Sequence, residues 1–198
     1  MSGQSLNPLA LIAAQQRAAR EAATAKPISY VPPSKKGEIL GYTVERIYAV
    51  CHPVSPTSGS GETNHWTMKF DVGEGKSVSL DIQPDPRRPH TNGGFKACVI
   101  VSLLGDHITV SAERYDLVSV TYGRPVSWYI DYFASAKRFR YAFAPSGIGC
   151  RQWITDTLQL LADAGEVNRQ ESTNAQNAIV YLWPARTPCG LVSGTYFE

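Results

Sequence analysis

The sequence contains no apolar run near the ~18 residues that a membrane-spanning helix requires, and none of its four cysteines forms a Cys-x-x-Cys pair. The first absence argues against a helical membrane span. The second argues against a zinc ribbon or a disulfide scaffold, because Cys51, Cys98, Cys150 and Cys189 lie far apart. Also missing are a Gly-Lys-Ser/Thr phosphate loop, which disfavours nucleotide hydrolysis, and any internal repeat or low-complexity tract. Nothing calls for a metal or a cofactor. Charge is sparse as well: 18% of residues are charged and the net charge is +2, which permits an anionic partner without requiring one. No secretory signal is visible, so the thiols are expected to be reduced in a cytoplasmic protein.

What is present is a chain of 198 residues with 43% hydrophobic content, enough for one well-packed domain and too little for two. The alanine-rich stretch from Leu6 to Lys26 is expected to be a helical or flexible arm, joined by a linker at Pro27, Pro32, Pro33 and Gly37. The domain would then occupy 38–198, after an arm and linker at 1–37.

Within the domain, Tyr42 to Cys51 is rich in β-branched and aromatic residues and predicts a strand closed by His52-Pro53. Thr63 to Phe70 predicts a second strand with His65, Thr67 and Lys69 on one face and Trp66, Met68 and Phe70 on the other. The turn Gly73 to Lys76 leads to a third strand, Ser77 to Gln83, closed by the prolines from Pro84 to Pro89. If the apolar faces of this hairpin coincide, His65 and Asp81 share the opposite face. The apolar run Lys96 to Leu104 predicts a central strand, with Cys98 as packing. Val126 to Lys137 predicts a short helix and Arg138 to Ala144 a strand. A further helix is expected near Asn174 to Leu182. The fold class is therefore α+β, an antiparallel sheet packed with helices. Of the remaining histidines, His90 and His107 fall in turns and read as surface residues, and His52 cannot share an ion with Cys51 because adjacent strand residues face opposite sides.

One stretch stands apart, Pro145-Ser-Gly-Ile-Gly-Cys-Arg-Gln-Trp-Ile154. Here a glycine-rich turn meets a helix whose stripe runs through Cys150, Trp153, Ile154, Thr157, Leu158 and Leu161 and stops at Gly165. It places a cysteine at a helix N-terminus, where free N–H groups and the helix dipole favour a thiolate. Gly147 and Gly149 would let the backbone approach a substrate. The competing reading is a small buried thiol that only packs. A nucleophilic cysteine needs a base, and the base needs a group to fix its tautomer. Cys150, His65 and Asp81 supply these three roles.

The combination of an Asn64-His65-Trp66 strand with a later Gly149-Cys150 helix start resembles the circularly permuted papain-like enzymes of the lecithin retinol acyltransferase type. That resemblance spans roughly residues 60 to 165. It implies a permuted papain-like arrangement in which Cys150 forms a thioester, His65 is the base, and Asp81 stands at the place of the family's second polar group. It departs at Gln152, where that family carries a second histidine. The same motifs, with Val78-Ser-Leu-Asp81, also resemble a group of small fungal proteins, and a further likeness is to the fungal arginine-containing cyclodipeptide synthases of secondary metabolism. The latter would imply an aminoacyl-tRNA partner, with Arg87, Arg88, Lys137, Arg138 and Arg140 as candidate phosphate contacts.

The sequence thus predicts a cysteine-dependent acyl-transfer enzyme, forming or hydrolysing esters or amides. Asn64, Gly149, Arg151 and the backbone N–H groups at the helix start are candidates for holding the substrate or its oxyanion. The acyl or aminoacyl donor is the expected partner. The alternatives are the tRNA-dependent cyclodipeptide synthase and a non-catalytic binding module.

Overall fold

A computed structural model describes residues 26–57, 61–106 and 111–198. The expected arm before Lys26 and the turn at His107 lie outside these residues. No helix among the described residues is long and apolar enough to cross a membrane.

The strands are β1 (Ile28–Val31), β2 (Arg46–Thr57), β3 (Gly61–Asp71), β4 (Ser77–Pro89), β5 (Phe95–Leu104), β6 (Arg114–Ser119) and the short β7 (Tyr141–Ala142), β8 (Tyr181–Leu182), β9 (Thr187–Pro188) and β10 (Thr195–Tyr196). The helices are α1 (Lys36–Gly41), α2 (Val126–Ser135), α3 (Cys150–Asp163) and α4 (Arg169–Ile179). Eight strands form one sheet in the order β10-β7-β5-β4-β3-β2-β6, with β1 added parallel to β5, and every other pairing in that sheet is antiparallel. The chain is therefore an α+β protein. Its core forms where the apolar face of the sheet (Trp66, Met68, Phe70, Val78, Leu80, Ile82, Val99, Val101) meets the stripe Trp153, Ile154, Leu158 and Leu161 of α3.

Several boundaries differ from the sequence reading, each for a physical reason. The Pro27–Gly37 linker is in part a strand: Ile28 to Val31 pair with Val99 to Ser102, so this segment is docked on the sheet. Strand β2 does not close at His52-Pro53. Its pairing with β3 runs from Arg46↔Asp71 to Cys51↔Trp66, shifts, and resumes at Val54↔Asn64. Pro53 has no N–H for the ladder, and a β-bulge absorbs it. Strand β4 likewise continues through its prolines, because beyond the pair Met68↔Leu80 it has separated from β3 and needs only β5 as a partner. The predicted strand at 138–144 shrinks to two residues, since the chain first turns at Lys137, whose φ is 58°.

Helix α3 ends as its sequence predicts. Gly165, at φ 71°, follows the C-cap, with Glu166 N–H donating to the Leu161 carbonyl and Gly165 N–H to that of Ala162, a Schellman closure. Helix α4 starts five residues earlier than expected, because Asn168 caps it by accepting from the Glu171 N–H at 3.1 Å.

Candidate active site at the split between two strands

The separation of β3 from β4 after Met68↔Leu80 opens a gap in the sheet, and the N-terminus of α3 packs against it. Three expected side chains meet there. His65 on β3 reaches across the gap to Asp81 on β4, with Nε2 2.7 Å from Asp81 Oδ1. Cys150 lines the same cleft as His65, with the imidazole and the backbone N–H of Trp66 placed to favour its thiolate. With Nε2 committed to Asp81, Nδ1 is the ring nitrogen left for the sulfur. Asp81 is braced in turn by Gln83, whose Nε2 donates to Oδ2 at 2.7 Å. Gly149 is the N-cap of α3 and no side chain caps it, so free N–H groups and the positive end of the helix dipole lie at Cys150.

The electrostatics follow from these partners. Burial works against a thiolate at Cys150, but the His65 ring, its charge, the Trp66 N–H and the nearby Arg151 guanidinium outweigh it and hold the thiol below its ordinary range. Burial also works against protonated His65, yet its bond to Asp81 and the neighbouring Cys150 sulfur raise it to about 10. Asp81 stays below the ordinary carboxylate range, because the His65 bond overcomes its burial. The set is therefore biased towards a thiolate, an imidazolium and a carboxylate. Cys150 and His65 open onto a cleft of about 320 Å³ whose walls are mainly Ile82, Pro84, Phe143 and Ile148.

Other expected site residues have different duties. Asn64 is 1% exposed, and its amide is spent on backbone: Nδ2 donates to the His52 and Trp183 carbonyls at 2.9 and 3.0 Å, and Oδ1 accepts the Trp183 N–H at 2.6 Å. It ties the C-terminal segment to the sheet and has no donor left for a substrate. Arg151, 2% exposed, donates to the carbonyls of Ile179, Cys189 and Gly190 at 3.1, 2.7 and 2.7 Å. Its guanidinium is a tether and a fixed charge behind the thiol, so the expectation of a direct oxyanion contact is corrected. Gly149 allows a close approach, but to the protein itself: a Cβ there would lie 2.8 Å from the Tyr141 hydroxyl and 3.0 Å from Phe143. Gln152, at the departure from the acyltransferase motif, donates along its own helix to Asp156.

Most of the candidate phosphate contacts are engaged by groups of the chain itself. Arg87 is bidentate to Asp85, and Lys137 pairs with Glu198. Arg138 lies 4.0 Å from Asp156 and stacks over Tyr196. Arg88, which donates to the Ala97 carbonyl, lines a hollow with Arg140 and Phe197. No group of three or more His, Cys, Asp or Glu among the described residues is placed to hold a metal ion.

Sequence reasoning missed two participants. One is the Trp66 N–H, which carries no side-chain signal. The other is His52, which the bulge carries to His65, where the two rings stack with centroids 5.7 Å apart and planes 28° apart. Proline after histidine within a β-rich run is the signal that could have marked the bulge.

Comparison with curated proteins finds no match, and neither does comparison with solved structures. A family model does match, over residues 47–197, a span that holds every residue of the site described above. The chain belongs to that family, described as Domain of unknown function (DUF7770).

Proposed function

We propose that this protein is a cysteine-dependent acyl-transfer enzyme, with Cys150 as nucleophile, His65 as its acid and base, and Asp81 as the group that orients the imidazole. The observation that carries this reading is that His65, bonded to Asp81, and Cys150 at the start of α3 line one cleft, with the imidazole favouring the thiolate. The resemblance to permuted papain-like enzymes supports the same assignment. In the first step the Cys150 thiolate attacks the carbonyl carbon of an acyl donor, and the negative charge on its oxygen falls to N–H groups of the first turn of α3. The bond to the leaving group breaks as the His65 imidazolium gives that group its proton, leaving a thioester on Cys150. Neutral His65 then takes a proton from the acceptor, water, alcohol or amine, as it attacks the thioester. The acyl group leaves with the acceptor, and the thiolate–imidazolium pair returns.

A panel of activated esters and thioesters, followed by intact-protein mass spectrometry, tests the reading. Wild-type protein should acquire an acyl adduct at Cys150 that hydroxylamine removes, and Cys150→Ser and His65→Ala should not. An unreactive Cys150 across the panel would leave a binding module as the function. Amide formation from an aminoacyl-tRNA would pass through the same thioester, but most of the basic residues it calls on engage carboxylates or carbonyls of the chain itself.

A further inference from the structure

We infer that His52 is a positioning residue for the Cys150–His65 pair, its ring stacked on one face of the His65 imidazole and tethered so that the imidazole cannot swing away from the thiol. The inference rests on the reading of Cys150 and His65 as an activated pair, and it adds a fourth side chain.

The geometry begins with the bulge. Between Cys51↔Trp66 and Val54↔Asn64, two residues of β2 stand against the single residue His65 of β3. Facing residues of an antiparallel pair put their side chains on the same side, and here the facing side chains are the two histidines, at 5.7 Å between centroids. His52 is itself fixed twice. Its Nε2 lies 2.9 Å from Thr67 Oγ1, on the same face of β3 two residues beyond His65, and its carbonyl accepts from Asn64 Nδ2 at 2.9 Å.

His65 is thus held on its Nε2 edge by Asp81 and on one face by His52. Asp81 alone would leave the ring free to pivot about that bond. A face contact removes that pivot, which is what a base needs if its other nitrogen is to meet a sulfur.

The charges are arranged to match. The groups facing His52 are His65, Thr67 and Lys69 from β3 and Asp81 from β4. Burial and the neighbouring His65 charge, with Lys69, hold His52 below its ordinary value against the pull of Asp81. His52 therefore stays neutral while His65 is protonated, and a neutral ring stacked on an imidazolium favours that charged form.

The test is the pH dependence of Cys150 alkylation by iodoacetamide, read site by site by mass spectrometry on the full chain from about pH 5 to about pH 10, for wild type, His52→Ala, His52→Phe and Thr67→Val. In wild type the thiol should react below the ordinary thiol range. His52→Ala should move that midpoint to higher pH and cost about tenfold in rate below neutrality, the equivalent of one unit. His52→Phe, which restores a ring face, should return to within about threefold of wild type. Thr67→Val frees the tether while leaving both histidines, and should move the profile in the same direction by less; it carries the test if His52→Ala fails to fold. Profiles of His52→Ala and Thr67→Val that superimpose on wild type would overturn the inference. So would equal losses in the Ala and Phe variants, because His52 would then be strand packing alone. A wild-type Cys150 with an ordinary titration would overturn the activated pair itself, and this inference with it.

Discussion

Cys51 and Cys150 are 0% and 7% exposed, and both neighbour Trp66. Cys51 is the register partner of Trp66 across β2 and β3, whereas the Trp66 N–H acts on Cys150, favouring its thiolate. Burial pushes the Cys51 thiol up to about 12, with Glu113 adding to the effect. The same burial at Cys150 is overcome, and that thiol falls below its ordinary range. What separates the two is the supply of donors: the split in the sheet leaves a strand N–H, a protonated ring and a helix start around one sulfur, while the other thiol donates to the His52 carbonyl, an acceptor that favours its neutral form. Two buried cysteines beside one tryptophan thus have their thiols shifted in opposite directions by the groups that the fold sets around them.

The most direct way to break this contrast is to make Cys150 resemble Cys51. His65→Ala removes the ring and its charge and leaves burial to dominate. Alkylation of Cys150 at neutral pH should fall by roughly a hundredfold or more, and acyl adducts should vanish, as mass spectrometry at that peptide would show.

Asp81→Asn is the next largest. The ring stays in place but loses the carboxylate that helps raise it to about 10, so its pKa should drop, the thiol should rise, and reactivity at pH 7 should fall about tenfold. In wild type, reactivity should climb at a pH below the ordinary thiol range and then hold level. The next change should come only as pH rises through about 10, where His65 deprotonates and the thiolate loses its counter-ion. In Asp81→Asn that upper change should move to lower pH, which a pH series of alkylation rates would reveal.

Arg151→Met separates fold from chemistry. It removes three bonds to backbone carbonyls at Ile179, Cys189 and Gly190, and denaturant unfolding should show a loss of about 3 kcal/mol. The alkylation profile of the remaining folded protein should rise by less than in Asp81→Asn, because Arg151 acts on the sulfur only through its charge.

The smallest effect is expected at Cys51. Cys51→Ala should cost about 1 kcal/mol of stability through a small cavity and leave Cys150 alkylation unchanged.

Much of this was legible beforehand, residue by residue. The hairpin of β3 and β4 follows from alternation and from the turn at Gly73 to Lys76, and the core stripe of α3 from its spacing. The sharing of one face by His65 and Asp81 followed from the same alternation. The start of α4 was legible but unread: Asn168-Arg-Gln-Glu171 carries an N-cap with an acidic residue three positions on, a recognisable helix opening. The burial of Asn64 and Arg151 is not legible in the sequence, because exposed and buried polar residues look alike there. Only packing revealed that both are consumed by the C-terminal segment.

By itself, the sequence determined the α+β class, the periodicity that sorts core from polar face, and the placing of a cysteine at a helix start, because each is a local property of spacing and backbone preference. Tertiary structure alone decided that β3 and β4 part after Met68 and Leu80, and that the bulge at Pro53 brings His52 onto His65. It also decided that Cys150, rather than Cys51, receives the donors. Those outcomes depend on which groups the whole sheet brings together once it has formed, and an N–H or a ring edge acquires its chemistry only from the neighbour that the fold sets against it.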